Sequence, residues 1–449
     1  VAVLRKVGCP ILFSRLKASL TMARSVSCDS RELEDRPLAQ PRSFGLAFLA
    51  AVICGSINNL TYCVISGASQ SLVRHFRMQS QVAVLTMSMT GFSLMTAVVS
   101  TRFLIQLRFY TRVLLVLFMC TATYAGMAVA STMEGAAGFV VAVLFSCVAG
   151  GQQVIGEVTN LAFLKAFPPE LIGAWGAGTG ISGILGGGIY VLLSGLLGLS
   201  NMVIFGLMLP TALPYWAAFH YLHREATRGK EGANLAKVVG GTSSLTRVGG
   251  DFGPREQLQP SEVMVAPATL ANIQTAFRCS GFIMFNLVAV YVLEYAVFPG
   301  LADRETLCSS KEWYATMWMC YNIGVMMSRL SVAIFRIERV WLITILQLTN
   351  VVGWFAEVYS GRIRDALPEE HGLYIMAAWM IIVGLCGGAT YGNCMYLFNN
   401  KEGIPENIRE LGVNLAMMMS NVGIATITLS FSLLDNTVLA KSVVYPHGC

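Results

Sequence analysis

Apolar runs long enough to cross a bilayer recur along the whole chain. A membrane-spanning helix needs about 20 mostly apolar residues. Eleven such runs can be read, near 44–65, 82–101, 112–131, 137–164, 172–199, 201–220, 276–298, 313–335, 340–358, 371–398 and 410–434. The chain of 449 residues is 55% hydrophobic and only 12% charged, whereas soluble domains carry about 25% charged residues. Soluble cores cannot hide so much apolar sequence, so the expected class is an all-α polytopic membrane protein. The net charge of +6 is modest and reflects flanking Lys and Arg. It gives no reason to expect nucleic acid; the expected partner is the lipid bilayer.

One long break interrupts the runs. Residues 221–275 include GGTSSLTRVGGDFGPREQLQPSE, rich in Gly, Ser, Pro and charge. Such composition buries too little to fold, so a disordered linker is expected there. The expected organisation is then a cytosolic tail 1–42, a six-helix half 43–220, the linker 221–275, a five-helix half 276–435 and a short tail 436–449. Lys and Arg collect in the N-terminal tail, the 102–112 loop and the linker. The positive-inside rule therefore places these in the cytosol, and an odd number of spans puts the C-terminus in the lumen. The short run at Cys9–Phe13 is no secretory signal, so the first span is expected to act as signal anchor.

The stretch Gly150–Gly188 holds the first functional candidate. It reads as two helices joined by a turn at Pro168-Pro169-Glu170, with Glu157 inside the first. A charge at membrane depth costs about 2.5–3.5 kcal/mol on insertion scales, so it usually faces a partner or a water-filled path. Gln153, Glu157 and Asn160 are spaced by four and three and share a face. Asn58 and Tyr62 lie in span one, Tyr291 and Glu294 in span seven, Arg329 in span eight, and Tyr391 and Asn393 in span ten. For single amides, a network gluing helices together is the better reading; for Glu157 and Glu294, function is favoured. Arg329 either snorkels to the interface or pairs with a carboxylate.

The literal GxGxxG at Gly178–Gly183 lies inside an apolar run, without the strand–turn–helix context of a dinucleotide site. With Gly176, Gly180, Gly183 and Gly187 it gives small-residue spacing for close helix packing. The chain has 12 cysteines but no CxxC pair and no metal-ligand spacing. They are expected to act as small buried hydrophobes, and no cofactor or metal is expected. No HExxH, GxSxG or paired carboxylate suggests an enzyme.

The strongest polar positions fall in spans one, four, seven and ten, on both sides of a six-span boundary. Transporters built from two repeat halves place their substrate between the halves near the bilayer midplane, and in the major-facilitator architecture these spans line the cavity. The expected fold is major-facilitator-like, with about eleven transmembrane helices in two halves.

Five stretches also resemble the battenin family of lysosomal and vacuolar membrane proteins: GSINNLTYCVISGA, GEVTNLAFLKAFPPELIGAWGAGTG, VAVYVLEYAVFPGL, EWYATMWMCYNIGVMMSR and LCGGATYGNCMYLF. The resemblance runs from about residue 44 to 435. It implies a major-facilitator-like fold with eleven spans in endolysosomal or vacuolar membranes. It further implies roles in lysosomal pH balance, basic amino-acid handling and glycerophosphodiester efflux. By motif match, Glu157, Glu294 and Arg329 carry over as functional positions, with Asn58, Tyr62, Tyr291, Tyr391 and Asn393 as cavity lining. Relatives carry an acidic residue in span two; QVAVLTMSMTGFSLMTAVVS has none. Here the tail is basic, and the sequence closes on Pro446-His447-Gly448-Cys449 instead of a CaaX box.

The expected activity is transport of a small polar metabolite, with a glycerophosphodiester favoured. Glu157 would exchange a proton, and Arg329 or Lys165 would meet a phosphate oxyanion. A basic amino acid would instead seek Glu157 and Glu294. A trafficking adaptor acting through the linker is the rival from another class.

Overall fold

The computed structural model describes residues 41–103, 107–164, 166–168, 170–241, 269–306, 312–331 and 336–437. These residues form α1 Phe44–His75, α2 Val82–Phe103, α3 Phe109–Ala130, α4 Gly135–Leu164, α5 Glu170–Tyr190, α6 Asn201–Met208, α7 Ala212–Gly241, α8 Leu270–Tyr295, α9 Ala302–Thr306, α10 Trp313–Ser331, α11 Val340–Ser360, α12 Arg362–Ala366, α13 Glu369–Asn400 and α14 Glu406–Asn436. Local chemistry sets several ends. The hydroxyls of Ser43 and Thr269 accept hydrogen bonds from Leu46 N and Asn272 N, capping α1 and α8. Gly361, in the left-handed conformation at φ 64°, closes α11.

Nine helices among the described residues are long and apolar enough to cross a membrane. Helices also stand at the second and eighth expected spans, but α2 and α10 are not among the nine. The side chains of α2 are described only to Ala97. In α10, Tyr321, Asn322 and Arg329 lower the hydropathy. The expected linker is also shorter at both ends. α7 continues to Gly241 and α8 begins at Leu270. Charge there does not break a helix, because Ala, Glu, Lys and Arg are good helix formers. Glu225 further ties Arg228 at 3.0 Å and accepts the Arg42 backbone N–H at 2.9 Å. Residues 242–268, the tails 1–40 and 438–449, Lys165 and Pro169 lie outside the described residues.

The two halves pack alike. In the first half α1 packs on α5 and α2 on α4; in the second, α8 packs on α14 and α10 on α13. The halves meet through α2 against α14 and α5 against α10, and these two contacts exchange under the same pseudo-two-fold. Glycine allows the closest approaches. A side chain at Gly55 would strike the Trp175 carbonyl, and one at Gly178 the Val52 carbonyl; Gly324 and Gly384 meet the Ile381 and Tyr321 carbonyls in the same way. The other expected packing glycines divide. Gly183 and Gly187 sit against Asn322 and Met319 of α10, while Gly176 and Gly180 have nothing within 4 Å of a would-be Cβ. Cys54, Cys63, Cys120, Cys386 and Cys394 are buried and unpaired within helices.

The halves are clasped in the middle and at the His75 end of α1. Gln70 Nε2 donates to Asp303 Oδ1 and Thr306 Oγ1, both at 2.8 Å. Arg74 Nη2 donates to Gln70 Oε1 at 2.9 Å and to Thr306 O at 2.7 Å. Ser194 donates to Glu312 at 2.8 Å, and Trp318 Nε1 donates to Cys63 O at 3.1 Å. Gly173, Gly176 and Gly180, toward the Ser43 end of α5, carry no such neighbours.

Candidate functional site: a charged cluster between the halves

The central residues come from α1, α4, α8, α10 and α13. α8 supplies Tyr291 and, one turn on, the adjacent Glu294 and Tyr295. The α8 helix gives way to a π-helical segment, Ala296–Leu301, where Phe298 is extended and Pro299 follows. Proline cannot continue the backbone ladder, so the chain turns into α9 just beyond the carboxylate.

Glu294 is buried, and Tyr321 of α10 donates to its Oε1 at 3.1 Å. Its carboxylate fills the space that a side chain at Gly387 of α13 would need. The notch and the phenol together hold the carboxylate in one place. The guanidinium of Arg329 lies over the Tyr391 ring, 4.4 Å from its centroid, a favourable cation–π arrangement. Arg329 is within electrostatic range of Glu294, Tyr291, Tyr321 and Tyr391. It turns inward, so the snorkelling alternative does not describe it. Its Nε is buried without a partner, and no ion pair joins it to a described residue.

Glu157, on α4 of the other half, is half-buried. It forms no hydrogen bond or ion pair with a described residue. Tyr291 lies within electrostatic range of both Glu157 and Arg329. Tyr62 of α1 meets Tyr295 of α8 hydroxyl to hydroxyl at 3.1 Å, linking the halves beside Glu294. The structure thus brings together Glu157, Glu294, Arg329, Tyr62, Tyr291 and Tyr391.

The expected amides are placed elsewhere. Asn58 is fully buried; its Nδ2 donates to Gln153 O at 3.0 Å, and Gln152 Nε2 donates back to Asn58 O at 3.2 Å. Asn160 Nδ2 donates to Tyr215 Oη at 2.6 Å and to Gly156 O at 2.7 Å. Asn393 Oδ1 accepts from Ile337 N at 2.6 Å, and its Nδ2 donates to Ala389 O at 2.8 Å. These three bind helices and loops together. Gln153 is half-buried and contributes its backbone carbonyl to Asn58. Sequence reading overlooked the role of Tyr321. Its offset of eight from Arg329 puts both within about 80° on one helix face, and that spacing was the available signal. Among the described residues no group of three or more His, Cys, Asp or Glu can hold a metal ion.

Comparison with known proteins agrees with this architecture. The fold resembles that of a D-xylose-proton symporter, with TM-score 0.57 and 12% identity, covering 88% of this chain and 91% of that one. It also resembles a bacterial homologue of the human lysosomal transporter Spinster, inward-facing and occupied, with TM-score 0.52, 14% identity, and 88% and 81% covered. The fold is therefore major-facilitator-like. In sequence, the chain is 29% identical over 407 residues to battenin of Dictyostelium discoideum, covering 87% of this chain and 94% of that protein. It is 27% identical over 409 residues to protein BTN1 of Chaetomium globosum, covering 84% of each. Residues 49–440 match the CLN3 protein family, and a match over most of the chain, through both halves of the bundle, makes the chain a member of that family.

Proposed function

We propose that the chain is a lysosomal or vacuolar carrier that moves a small anionic metabolite, foremost a glycerophosphodiester, out of the lumen. Its eleven spans stand six and five about the linker, and the Ser43 end faces the cytosol. One observation carries the reading. Arg329 holds a positive charge inside the bundle, stacked on Tyr391, with a buried Nε that has no partner and no ion pair to a described residue. Buried charges are ordinarily paired, and a planar guanidinium matches phosphate oxygens in a bidentate fork. The cargo supplies the missing anion. Glu157, which forms no hydrogen bond or ion pair among the described residues, takes up and releases a proton as the site alternates between lumen and cytosol, which links the carrier to luminal pH balance. Lys165 stays the alternative cation for the phosphate.

The family resemblance supports the compartment, and the clasped His75 end supports alternating access. A basic amino acid such as arginine is the competing cargo, because two carboxylates lie at the site. Glu294 is already engaged by Tyr321 and boxed by Gly387, however, so the uncommitted charge with the strongest demand is Arg329.

The test is efflux from proteoliposomes, acidic inside, of labelled glycerophosphodiester beside labelled arginine. Diester efflux that Arg329→Gln abolishes in folded protein is the expected result. Movement of arginine alone moves the assignment to a basic amino-acid carrier. Movement of neither by folded protein makes the adaptor account the leading one.

A further inference from the structure

A closed circuit of contacts joins Glu294 to the chain just beyond it. Tyr314, Trp318 and Tyr321 are spaced by four and three on α10 and share one face. Tyr321 donates to Glu294 Oε1 at 3.1 Å, and its ring stacks on Trp318 with centroids 5.5 Å apart. Phe298, four residues after Glu294, stacks on Trp318 at 4.6 Å and on Tyr314 at 4.7 Å. Trp318 carries the circuit into the other half. Its Nε1 donates to Cys63 O of α1 at 3.1 Å, and its Cδ1 lies 3.6 Å from where a side chain would begin at Gly67. Glu294, Phe298, Trp318 and Tyr321 are all buried.

The backbone alone holds α9 weakly. Phe298 is extended and Pro299 has no N–H to donate, so the ladder of α8 is broken before α9 begins. Five residues are too few for a helix that stands by itself. Side chains therefore set its position: Gln70 and Arg74 of α1 bond to Asp303 and Thr306, and the Phe298 stack anchors its approach.

We propose that Trp318 is a positioning residue that couples the Glu294 carboxylate to the contact of α1 with α9 between the halves. While Tyr321 is bonded to Glu294, its ring fixes the indole, which keeps its N–H on Cys63 O and its face against Phe298. A group that takes the carboxylate away from Tyr321 leaves a buried hydroxyl without its acceptor, which is costly. The phenol then turns to another acceptor, the indole leaves Cys63 O, and Phe298 shifts with α9. An event at Glu294 thereby reaches Asp303 and Thr306, which hold the clasp. The coupling needs no cargo, so its failure leaves the carrier reading standing, and failure of transport leaves the coupling standing.

Amide hydrogen exchange of the purified full chain in detergent tests it. Tyr321→Phe keeps the stack but loses the bond to Glu294. Trp318→Phe keeps a ring between Tyr321 and Phe298 but donates nothing to Cys63 O. Each is expected to quicken exchange about tenfold in α9 and from Cys63 to His75 of α1, with α3 and α4 unchanged, as loss of one buried bond in a local opening requires. The double variant exchanges no faster than the faster single variant, because both changes break one circuit; independent contacts would multiply to about a hundredfold. Glu294→Gln keeps an acceptor for Tyr321 and exchanges like the unaltered protein, whereas Glu294→Ala exchanges like Tyr321→Phe. Unchanged exchange of α9 in Tyr321→Phe, or multiplied rates in the double variant, overturn the coupling. If Trp318→Phe also loosens α3 and α4, the contrast of Glu294→Gln with Glu294→Ala decides, and equal exchange of those two overturns it.

Discussion

At the residue scale, space and charge at the site are set by a few neighbours of the acidic and basic groups. Glu294 occupies the place of a side chain at Gly387, so Gly387→Ala must push the carboxylate away from Tyr321. Overpacking of this kind costs about 1–3 kcal/mol. The expected outcome is a lower thermal midpoint of the purified protein and reduced transport; an unchanged midpoint would show that the notch does not hold Glu294. Arg329→Lys keeps the charge but loses the planar stack on Tyr391 and the bidentate fork. Diester KM is expected to rise about tenfold with kcat little altered, because a binding contact and not a translocation step is removed.

The polar positions also show how far single residues were legible. Glu157, Glu294 and Arg329 stood out because ionisable groups are rare at membrane depth, and the structure brings all three within electrostatic range of Tyr291. Asn58, Asn160 and Asn393 looked equally polar but serve helix packing. An amide's donors are satisfied by whichever carbonyl or phenol the neighbouring helix presents, and helical spacing alone does not name that neighbour.

At the element scale, the bundle depends on backbones that approach closely. α1 and α5 meet where Gly55 faces Trp175 O and Gly178 faces Val52 O, and Ser56 Oγ donates to Gly178 O at 3.1 Å. Dispersion packing drives helix association inside a bilayer, and small residues permit it. Gly178→Val would force the two helices apart and lose the Ser56 bond. It is expected to abolish the monodisperse folded protein in detergent, whereas Gly176→Val, which meets nothing within 4 Å, should leave it intact. Comparison of the two variants by size-exclusion chromatography checks this. The sequence spacing marked both glycines alike, but only the docking of α1 and α10 separates them.

At the scale of the whole molecule, the two halves are held by the clasp of Gln70 and Arg74 on α9. An aromatic stack leads from the site toward that clasp. Tyr321 stacks on Trp318, Trp318 on Phe298 and Phe298 on Tyr314, with centroid separations of 5.5, 4.6 and 4.7 Å. In the proposed carrier, alternating access requires the His75 end to open. Gln70→Leu removes buried bonds to Asp303 and Thr306, at about 1–3 kcal/mol. Amide hydrogen exchange in α9 and the last turns of α1 is expected to quicken, with α4 and α13 unaffected. Unchanged exchange in α9 would mean that Gln70 does not clasp the halves.

The order of apolar runs determined, without any coordinates, that this chain is an all-helical membrane bundle with a break between two halves. Water cannot satisfy backbone groups in lipid, so long apolar segments have no other stable conformation. Composition also marked the carboxylates and the arginine as costly and hence purposeful. Tertiary structure alone decided where helix ends fell beside the linker, which glycines touch a neighbour, and which amides are glue. It alone showed that Tyr321 donates to Glu294, while Glu157 and Arg329 form no ion pair among the described residues. Those outcomes depend on residues hundreds of positions apart meeting across helix interfaces, and local periodicity carries no record of which faces meet.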